Sequence, residues 1–200
     1  MTRWYSEKKR EHFYKQAKKN GYRARSAFKL KQIQNKFKII KKDDIVIDLG
    51  AAPGGWSQVA KEIVGEKGVV IGIDLLSIYP LHGVVFLQGD VEKQETIEEL
   101  TSNIGDKKAD VIISDMSPDI SGNYSMDQAR SIFLCEQAFK TAEILLKHRG
   151  NFICKVFEGE DLGNFIKILS NRFKFVKRFS PTASRKSSSE LYIIAQFFKK

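Results

Sequence analysis

Apolar runs of strand length alternate with helical patterns along most of this 200-residue chain, and this alternation limits the folds that are open to it. Strands are predicted over residues 45–49, 69–74, 84–90, 109–115 and 150–156. Helices are predicted over residues 56–64, 95–103, 128–147 and 162–171. Strands joined by helices favour a mostly parallel sheet with helices on both faces, so the predicted fold is α/β and Rossmann-like.

The two ends of the chain depart from this alternation. Strands predicted over residues 173–179 and 190–198 close the chain, with only a loop rich in Ser, Lys and Arg between them. The other end is a basic arm with a short helix predicted over residues 27–33, in which Ser26 is either the N-cap or a helical residue. Because no repeat or linker interrupts the chain, we expect one domain, made of the arm at residues 1–42 and a main body at residues 43–200.

The charge of the chain is concentrated in the arm. The formal net charge is +10, and residues 1–42 carry fifteen Lys and Arg against only Glu7 and Glu11. Such a segment attracts a polyanion and releases its counterions. The aromatic residues among these cations either stack on bases or anchor the arm, and they are Trp4, Tyr5, Phe13, Tyr14 and Tyr22. The composition alone would also suit a Lys-rich protein that binds no polyanion. The concentration of the positive charge in the arm favours a nucleic acid as the partner.

Several classes of protein are excluded by what the chain lacks. No apolar run reaches the roughly 18 residues of a membrane span, and the N-terminus has no signal-peptide pattern. Cys135 and Cys154 form no CxxC pair, which fits a reducing cytoplasm. His12, His82 and His148 have no ligand spacing, so no metal site is expected.

The segment after the first predicted strand, DLGAAPGGW at residues 48–56, is the expected ligand loop. Sheets of this type bind ligands at the carboxyl ends of their strands. A dinucleotide fingerprint fails because Ala52 stands where the second Gly is needed and Pro53 follows, and there is no P-loop sequence. A loop without a phosphate cradle suits a sulfonium amino acid, which needs carbonyl and carboxylate groups near its charged end.

Acidic residues end the first three predicted strands at Asp48, Asp74 and Asp90. Asp74 lies about 20 residues past the loop, where an acid accepts hydrogen bonds from a ribose diol. Asp90 is placed to accept from an adenine amino group. Taken singly, such residues are mostly caps, but three in register with a Gly-rich loop favour a nucleoside-containing ligand.

Four further charged residues are candidates for chemistry. Asp115 ends the fourth predicted strand, and Lys155 lies within the apolar fifth strand. A buried Lys is costly unless it is paired or functional. Lys29 belongs to the arm helix and Glu190 begins the last strand, and each of these alone is usually a solvated surface charge.

Five segments in order resemble the FtsJ/RrmJ family of ribosomal RNA 2′-O-methyltransferases over nearly the whole chain. They are SAFKL at 26–30, DLGAAPGGW at 48–56, SDMSP at 114–118, CKVF at 154–157 and SSELY at 188–192. The resemblance implies the fold of a methyltransferase that depends on S-adenosylmethionine. It also implies that the partner is ribosomal RNA or the large ribosomal subunit and that the modified nucleotide is a uridine. We expect the enzyme to be a monomer.

The same resemblance assigns residues. It implies a catalytic tetrad of Lys29, Asp115, Lys155 and Glu190. Lys155 is our candidate for the base that accepts the proton of a ribose hydroxyl, and Asp115 would orient it. Lys29 would assist by its charge or hold the adjacent phosphate, and Glu190 would fix Lys29 or the ribose. The implied cofactor contacts are Gly54, Trp56, Asp74, Asp90 and Asp115.

Other functions stay open at this point. The target could be a transfer RNA anticodon loop or a messenger RNA cap instead. A non-catalytic RNA-binding or ribosome-assembly factor on the same fold is disfavoured by the intact tetrad, and a nicotinamide oxidoreductase by Ala52 and the arm. A base-nitrogen methyltransferase often has Pro-Pro and an aromatic after its acid, whereas Met116-Ser117-Pro118 follow Asp115 here.

Overall fold

The computed structural model describes residues 15–184 and 189–199. The predictions for Trp4, Tyr5, Phe13 and Tyr14 of the arm therefore lie outside the described residues, as does part of the predicted loop before the last strand.

A single seven-stranded sheet forms the centre of the molecule, in the order β3-β2-β1-β4-β5-β7-β6. Its strands are β1 (Ile45–Leu49), β2 (Val69–Asp74), β3 (Val84–Gln88), β4 (Ala109–Ser114), β5 (Leu146–Phe157), β6 (Phe173–Phe179) and β7 (Glu190–Phe198). The first five are parallel to one another, and β7 is antiparallel to both β5 and β6. The predicted α/β fold with a mostly parallel sheet is confirmed.

Helices cover both faces of the sheet, as the alternation predicts. They are α1 (Ala27–Phe37), α2 (Gly55–Val64), α3 (Gln94–Ile104), α4 (Tyr124–Leu145) and α5 (Leu162–Arg172). The apolar sides of α1 and α2 pack on one face of the sheet, and those of α3, α4 and α5 pack on the other. Because both faces are covered, the central strands are apolar on both sides, which is typical of parallel sheets.

The arm helix is part of the core rather than an appendage to it. Leu30 and Ile33 of α1 are fully buried and share a cluster with Val46 of β1 and Val70 of β2. This packing holds Lys29, the neighbour of Leu30, against the sheet. The boundary between arm and main body at residue 42 stays a prediction.

The helix before β5 begins and ends earlier than predicted. It starts at Tyr124 because the side chain of Asn123 accepts a hydrogen bond from the N–H of Met126 at 3.2 Å, which caps the first turn. It ends at Leu145 because Leu146 already pairs with Ala109 of β4. The helix α1 starts directly after Ser26 as proposed, but the Ser26 side chain forms no capping hydrogen bond. Within the described residues, no helix is long and apolar enough to cross a membrane.

Candidate active site

A cavity of about 360 Å³ opens at the carboxyl ends of β1, β2, β3 and β4. Its wall contains three of the acids singled out from the sequence, Asp74, Asp90 and Asp115. The parallel arrangement of the strands explains this convergence, because their carboxyl ends meet at one edge of the sheet. Apolar side chains complete the wall, among them Leu75 and Leu76 after β2.

Two of these acids also organise the backbone around the cavity. The Asp74 carboxylate accepts hydrogen bonds from the N–H of Ala52 and the N–H of Leu76, both at 2.9 Å. Asp90 accepts from the N–H of Glu92 at 3.0 Å. A carboxylate has about four acceptor positions, so each acid retains room for a ligand donor. Each acid can therefore cap backbone N–H groups and bind a ligand at the same time.

The loop between β1 and α2 closes tightly onto the segment after β4. Gly50 has φ +72°, and a Cβ there would collide with the side chain of Met116. Only glycine adopts this conformation without strain while allowing so close an approach. The Gly at this position therefore brings the loop against the residue that follows Asp115.

Gly54 and Trp56, which the resemblance assigns to the cofactor, do not line this cavity. Trp56 is 2% exposed, and its indole Nε1–H donates to the Ser26 carbonyl at 2.9 Å. Gly54 has φ +104° and precedes the first residue of α2. In the described structure both residues shape the loop and attach it to the arm, and their contact with a cofactor stays a prediction.

Asp48 differs from the other strand-end acids because it does not face the cavity. It is fully buried, and its Oδ2 accepts a hydrogen bond of 2.6 Å from the Ser57 hydroxyl. Burial raises the pKa of Asp48 to about 7, with Asp115 and Asp74 adding to the shift and Ser57 opposing it. Its role is therefore internal to the β1–α2 turn.

The four residues of the predicted tetrad form two ion pairs. Lys29 Nζ lies 2.6 Å from Glu190 Oε1. Lys155 Nζ lies 3.2 Å from Asp115 Oδ1 and also donates to the Asp115 backbone carbonyl. Lys29 and Lys155 are each only 7% exposed, so neither is an ordinary surface cation.

Tyr192 joins the two pairs, and the sequence reasoning did not single it out. Its hydroxyl lies 2.7 Å from Asp115 Oδ1 and 3.4 Å from Glu190 Oε1. Lys29 Nζ lies 5.7 Å from the centre of the Tyr192 ring. The centres of the Trp56 and Tyr192 rings are 5.5 Å apart. The signal was available, because residues two apart in a strand share a face and Tyr192 follows Glu190 by two.

Strand register explains why these residues meet. In the antiparallel pair of β5 and β7, Lys155 lies opposite Tyr192 and Phe157 lies opposite Glu190. Lys155, Tyr192 and Glu190 therefore share one face, the face that α1 covers and toward which Lys29 extends. Asp115 follows the end of β4, where Ser114 lies opposite Cys154 of β5 in the parallel pair.

The surroundings of Glu190 and Tyr192 shift the pKa values of these two groups in opposite directions. Burial alone would raise the pKa of Glu190, but the charge and hydrogen bond of Lys29, with Lys155 and Ser184, hold it below its ordinary value. Burial, together with Asp115 and Glu190, raises the pKa of Tyr192 well above its ordinary value. Tyr192 therefore stays neutral and donates its hydrogen to the carboxylates. Among the described residues, no group of three or more His, Cys, Asp or Glu is placed to hold a metal ion.

Residues 22–198 of the chain match the family model of the FtsJ-like methyltransferases. The chain is 48% identical to the "Ribosomal RNA large subunit methyltransferase E" of Methanosarcina mazei, over 95% of this chain and 70% of the relative. It is 44% identical to the protein of the same name from Marinobacter nauticus, over 99% of this chain and 96% of the relative.

A solved structure described as a ribosomal RNA methyltransferase from Plasmodium falciparum superposes with a TM-score of 0.82. It shares 32% sequence identity and covers 88% of this chain and 98% of its own. The likeness therefore extends over most of the fold of this chain.

Proposed function

Because this chain belongs to the FtsJ-like methyltransferase family, we propose that it transfers a methyl group from S-adenosylmethionine to a ribose 2′-hydroxyl of large-subunit ribosomal RNA. The observation that carries the proposal is the position of Asp115. This residue lines the cavity and at the same time forms an ion pair with the buried Lys155. A methyl donor and a proton acceptor would therefore meet at one side chain.

The cavity fits the cofactor by its chemistry. Asp74 and Asp90 line the cavity with carboxylate oxygens, which would accept hydrogen bonds from a ribose diol and an adenine amino group, while Leu75 and Leu76 would supply an apolar surface for the base. Bound S-adenosylmethionine would supply an electrophilic methyl group on a positively charged sulfur. Asp115, an acid on the cavity wall, would lie near that charge.

Lys155 would act as the general base. In-line methyl transfer depends on positioning, but the hydroxyl must still lose its proton to a nearby acceptor. Lys155 Nζ is held by both the carboxylate and the carbonyl of Asp115, which fixes its position at the end of β4. This arrangement supports Asp115 as the residue that orients the base.

Lys29 and Glu190 form the second ion pair of the tetrad, and this pair would act on the RNA. The Lys29–Glu190 contact of 2.6 Å supports a role for Glu190 in holding Lys29. Held in this way, Lys29 would face the phosphate next to the target ribose. Tyr192, which donates toward both carboxylates, would keep the two pairs in register.

We further propose that the modified nucleotide is a uridine and that the enzyme acts as a monomer in the cytoplasm. A 2′-hydroxyl is present in RNA and absent from DNA, so the acceptor itself selects RNA. The residues that follow Asp115 are Met116, Ser117 and Pro118. They do not include the aromatic residue with which methyltransferases that act on a base nitrogen often stack the base.

The test is incorporation of label from radioactive S-adenosylmethionine into ribosomes purified from cells that lack the gene. The RNA is then digested to nucleosides and separated. We expect label on the ribose of one nucleoside from the large subunit. Label on a base would refute the 2′-hydroxyl as acceptor, label on a nucleoside other than uridine would refute that specificity, and label in transfer RNA alone would refute the ribosomal target.

A further inference from the structure

Arg23, in the arm just before α1, connects two loops that are distant in sequence. Its Nη1 donates to the Tyr79 carbonyl at 2.5 Å and its Nη2 donates to the Pro80 carbonyl at 2.6 Å. The same Nη1 also donates to the Pro53 carbonyl at 3.4 Å. Tyr79 and Pro80 belong to the loop between β2 and β3, and Pro53 belongs to the loop between β1 and α2.

Residues of both loops line the cavity. The β1–α2 loop contributes Gly50 and Ala52, and the β2–β3 loop begins with Leu75 and Leu76. The guanidinium also packs onto Gly54, where a Cβ would lie 3.0 Å from Arg23 Nη1. One side chain outside the cavity therefore contacts both loops that enclose it.

The β2–β3 loop has little packing of its own to hold it. Leu75, Leu76 and Tyr79 are 66%, 67% and 88% exposed, respectively. An exposed loop with few buried apolar contacts opens at low free-energy cost. Hydrogen bonds from a charged, bidentate donor are the strong kind, so the Arg23 fork restrains the middle of this loop more strongly than the neutral bond from Gln88 Nε2 restrains its start at the Leu75 carbonyl.

Arg23 is itself held in place before any ligand arrives. Its backbone N–H donates to Gln58 Oε1 at 3.2 Å, and Gln58 Nε2 donates to the Gly21 carbonyl at 2.9 Å. The guanidinium lies 5.9 Å from the centre of the Phe86 ring. Gln58 of α2 thus holds the backbone of residues 21–23, and Phe86 of β3 lies against the guanidinium, so both the backbone and the head group of Arg23 have partners outside the two loops.

We propose that Arg23 is a positioning residue for the methyl donor, which fastens the β2–β3 loop to the β1–α2 loop so that both walls of the cavity are preformed. This inference rests on the proposed function, since it assumes that the cavity binds S-adenosylmethionine. It also gives one residue of the basic arm a task that is separate from attraction of RNA.

The test compares Arg23→Met, Arg23→Lys and the control Lys67→Met by calorimetry with S-adenosylmethionine and by steady-state methylation of ribosomes. Lys67 is exposed on the loop after α2, so its variant loses the same charge without touching the cavity.

We expect Arg23→Met to raise the Kd and the KM for S-adenosylmethionine about tenfold, the scale of one charged hydrogen bond, with kcat at saturating donor retained. Arg23→Lys should not restore the affinity, because one ammonium cannot reproduce the planar fork. Lys67→Met should bind like the wild type.

Thermal unfolding of each variant separates positioning from loss of the fold. Wild-type affinity in a folded Arg23→Met variant would overturn the positioning role, and so would full rescue by Arg23→Lys, which would point to charge alone. Absence of S-adenosylmethionine binding by the wild-type protein would instead overturn the proposed function, and this inference with it.

Discussion

Lys155 is the residue on which the proposed chemistry depends most directly. It is 7% exposed within β5, and its ammonium group is held by the carboxylate and the carbonyl of Asp115. A buried cation with one acidic partner is retained in a strand only where its cost is offset by pairing or by function. Its position beside a residue of the cavity wall favours function.

We expect Lys155→Met to lower kcat for methyl transfer by about 10²–10⁴-fold, the usual contribution of a general base. Methionine keeps the aliphatic length of the side chain, so the Kd for S-adenosylmethionine should change little. Single-turnover methylation and calorimetry measure the two effects. The control is Lys140→Met, on the exposed side of α4, which should keep wild-type kcat. Wild-type turnover by Lys155→Met would show that another group accepts the proton.

Asp48 makes stability depend on pH. Its pKa is about 7 in the folded protein because burial disfavours the charged form, whereas an unfolded Asp has a pKa of about 3.9. Between these two values the folded protein retains a proton that the unfolded chain has released. The free energy of unfolding therefore falls as pH rises from about 4 to about 7.

We expect Asp48→Asn to remove this part of the pH dependence, because an amide keeps the shape and the hydrogen bond from Ser57 but does not titrate. The measurement is urea unfolding of both proteins at intervals between about pH 4.5 and pH 7.5. The stability of the variant relative to the wild type should increase steadily with pH across that window. A difference that is constant with pH would contradict the assignment of this titration to Asp48.

At the scale of elements, the arm divides into two parts with different tasks. The helix α1 is part of the core and places Lys29 at the site, while Arg23 lies against the cofactor loops. Residues 1–19 precede both and carry seven Lys and Arg against two Glu. Cations of this kind bind phosphates without reading sequence.

We expect removal of residues 1–19 to weaken RNA binding and to flatten its dependence on salt concentration, because fewer counterions are released. Affinity for S-adenosylmethionine should be unchanged, since Arg23 and α1 remain. Filter binding of RNA across a salt series measures the first effect and calorimetry the second.

The double variant Lys67→Gln and Lys107→Gln is a control for the loss of cations elsewhere on the surface. Both are exposed cations in loops that precede strands, at the edge of the sheet opposite the site, so the salt slope should not change. An unchanged slope after truncation would place the RNA-binding surface elsewhere, on the basic segment that begins at Arg172.

At the scale of the whole molecule, the cavity links segments at the ends of four strands, β1 to β4, so a ligand bound there stabilises the sheet as a unit. Binding that is restricted to the folded state adds about 2.7 kcal/mol at a ligand concentration of 100 times Kd. For a chain of 200 residues this corresponds to a rise of roughly 5–10 °C in the midpoint of thermal unfolding.

We expect S-adenosylmethionine to produce this rise in the wild type and to produce less than about half of it in Asp74→Ala. Asp74 is expected to supply roughly 1.5–3 kcal/mol of binding as a charged hydrogen-bond acceptor. Thermal unfolding with and without the ligand is the measurement, and Asp106→Ala, an exposed acid after α3, is the control. An equal rise in Asp74→Ala would mean that this carboxylate only holds the loop through Ala52 and Leu76.

Local patterns were sufficient to predict much of this protein. Every strand was predicted near its observed position, and most securely the central strands β1, β2 and β4, because a strand buried on both faces must be apolar along its length. The strand-end acids Asp74, Asp90 and Asp115 could be placed at one edge of the sheet, because parallel strands share a direction. The segments around Lys29, Lys155 and Glu190 were sufficient to suggest the family.

Other properties depend on contacts between distant segments, which no local pattern contains. Asp48 and Asp74 both look like strand-end acids, yet one is sealed against Ser57 and the other faces the cavity. Trp56 packs against Tyr192, and Arg23 fastens two loops more than 20 residues apart, only because the sheet brings these pieces together. Register between β5 and β7 set Tyr192 between two ion pairs. Burial and hydrogen-bond partners belong to the assembled chain, and they decided which of the candidate side chains face a ligand and which support the fold.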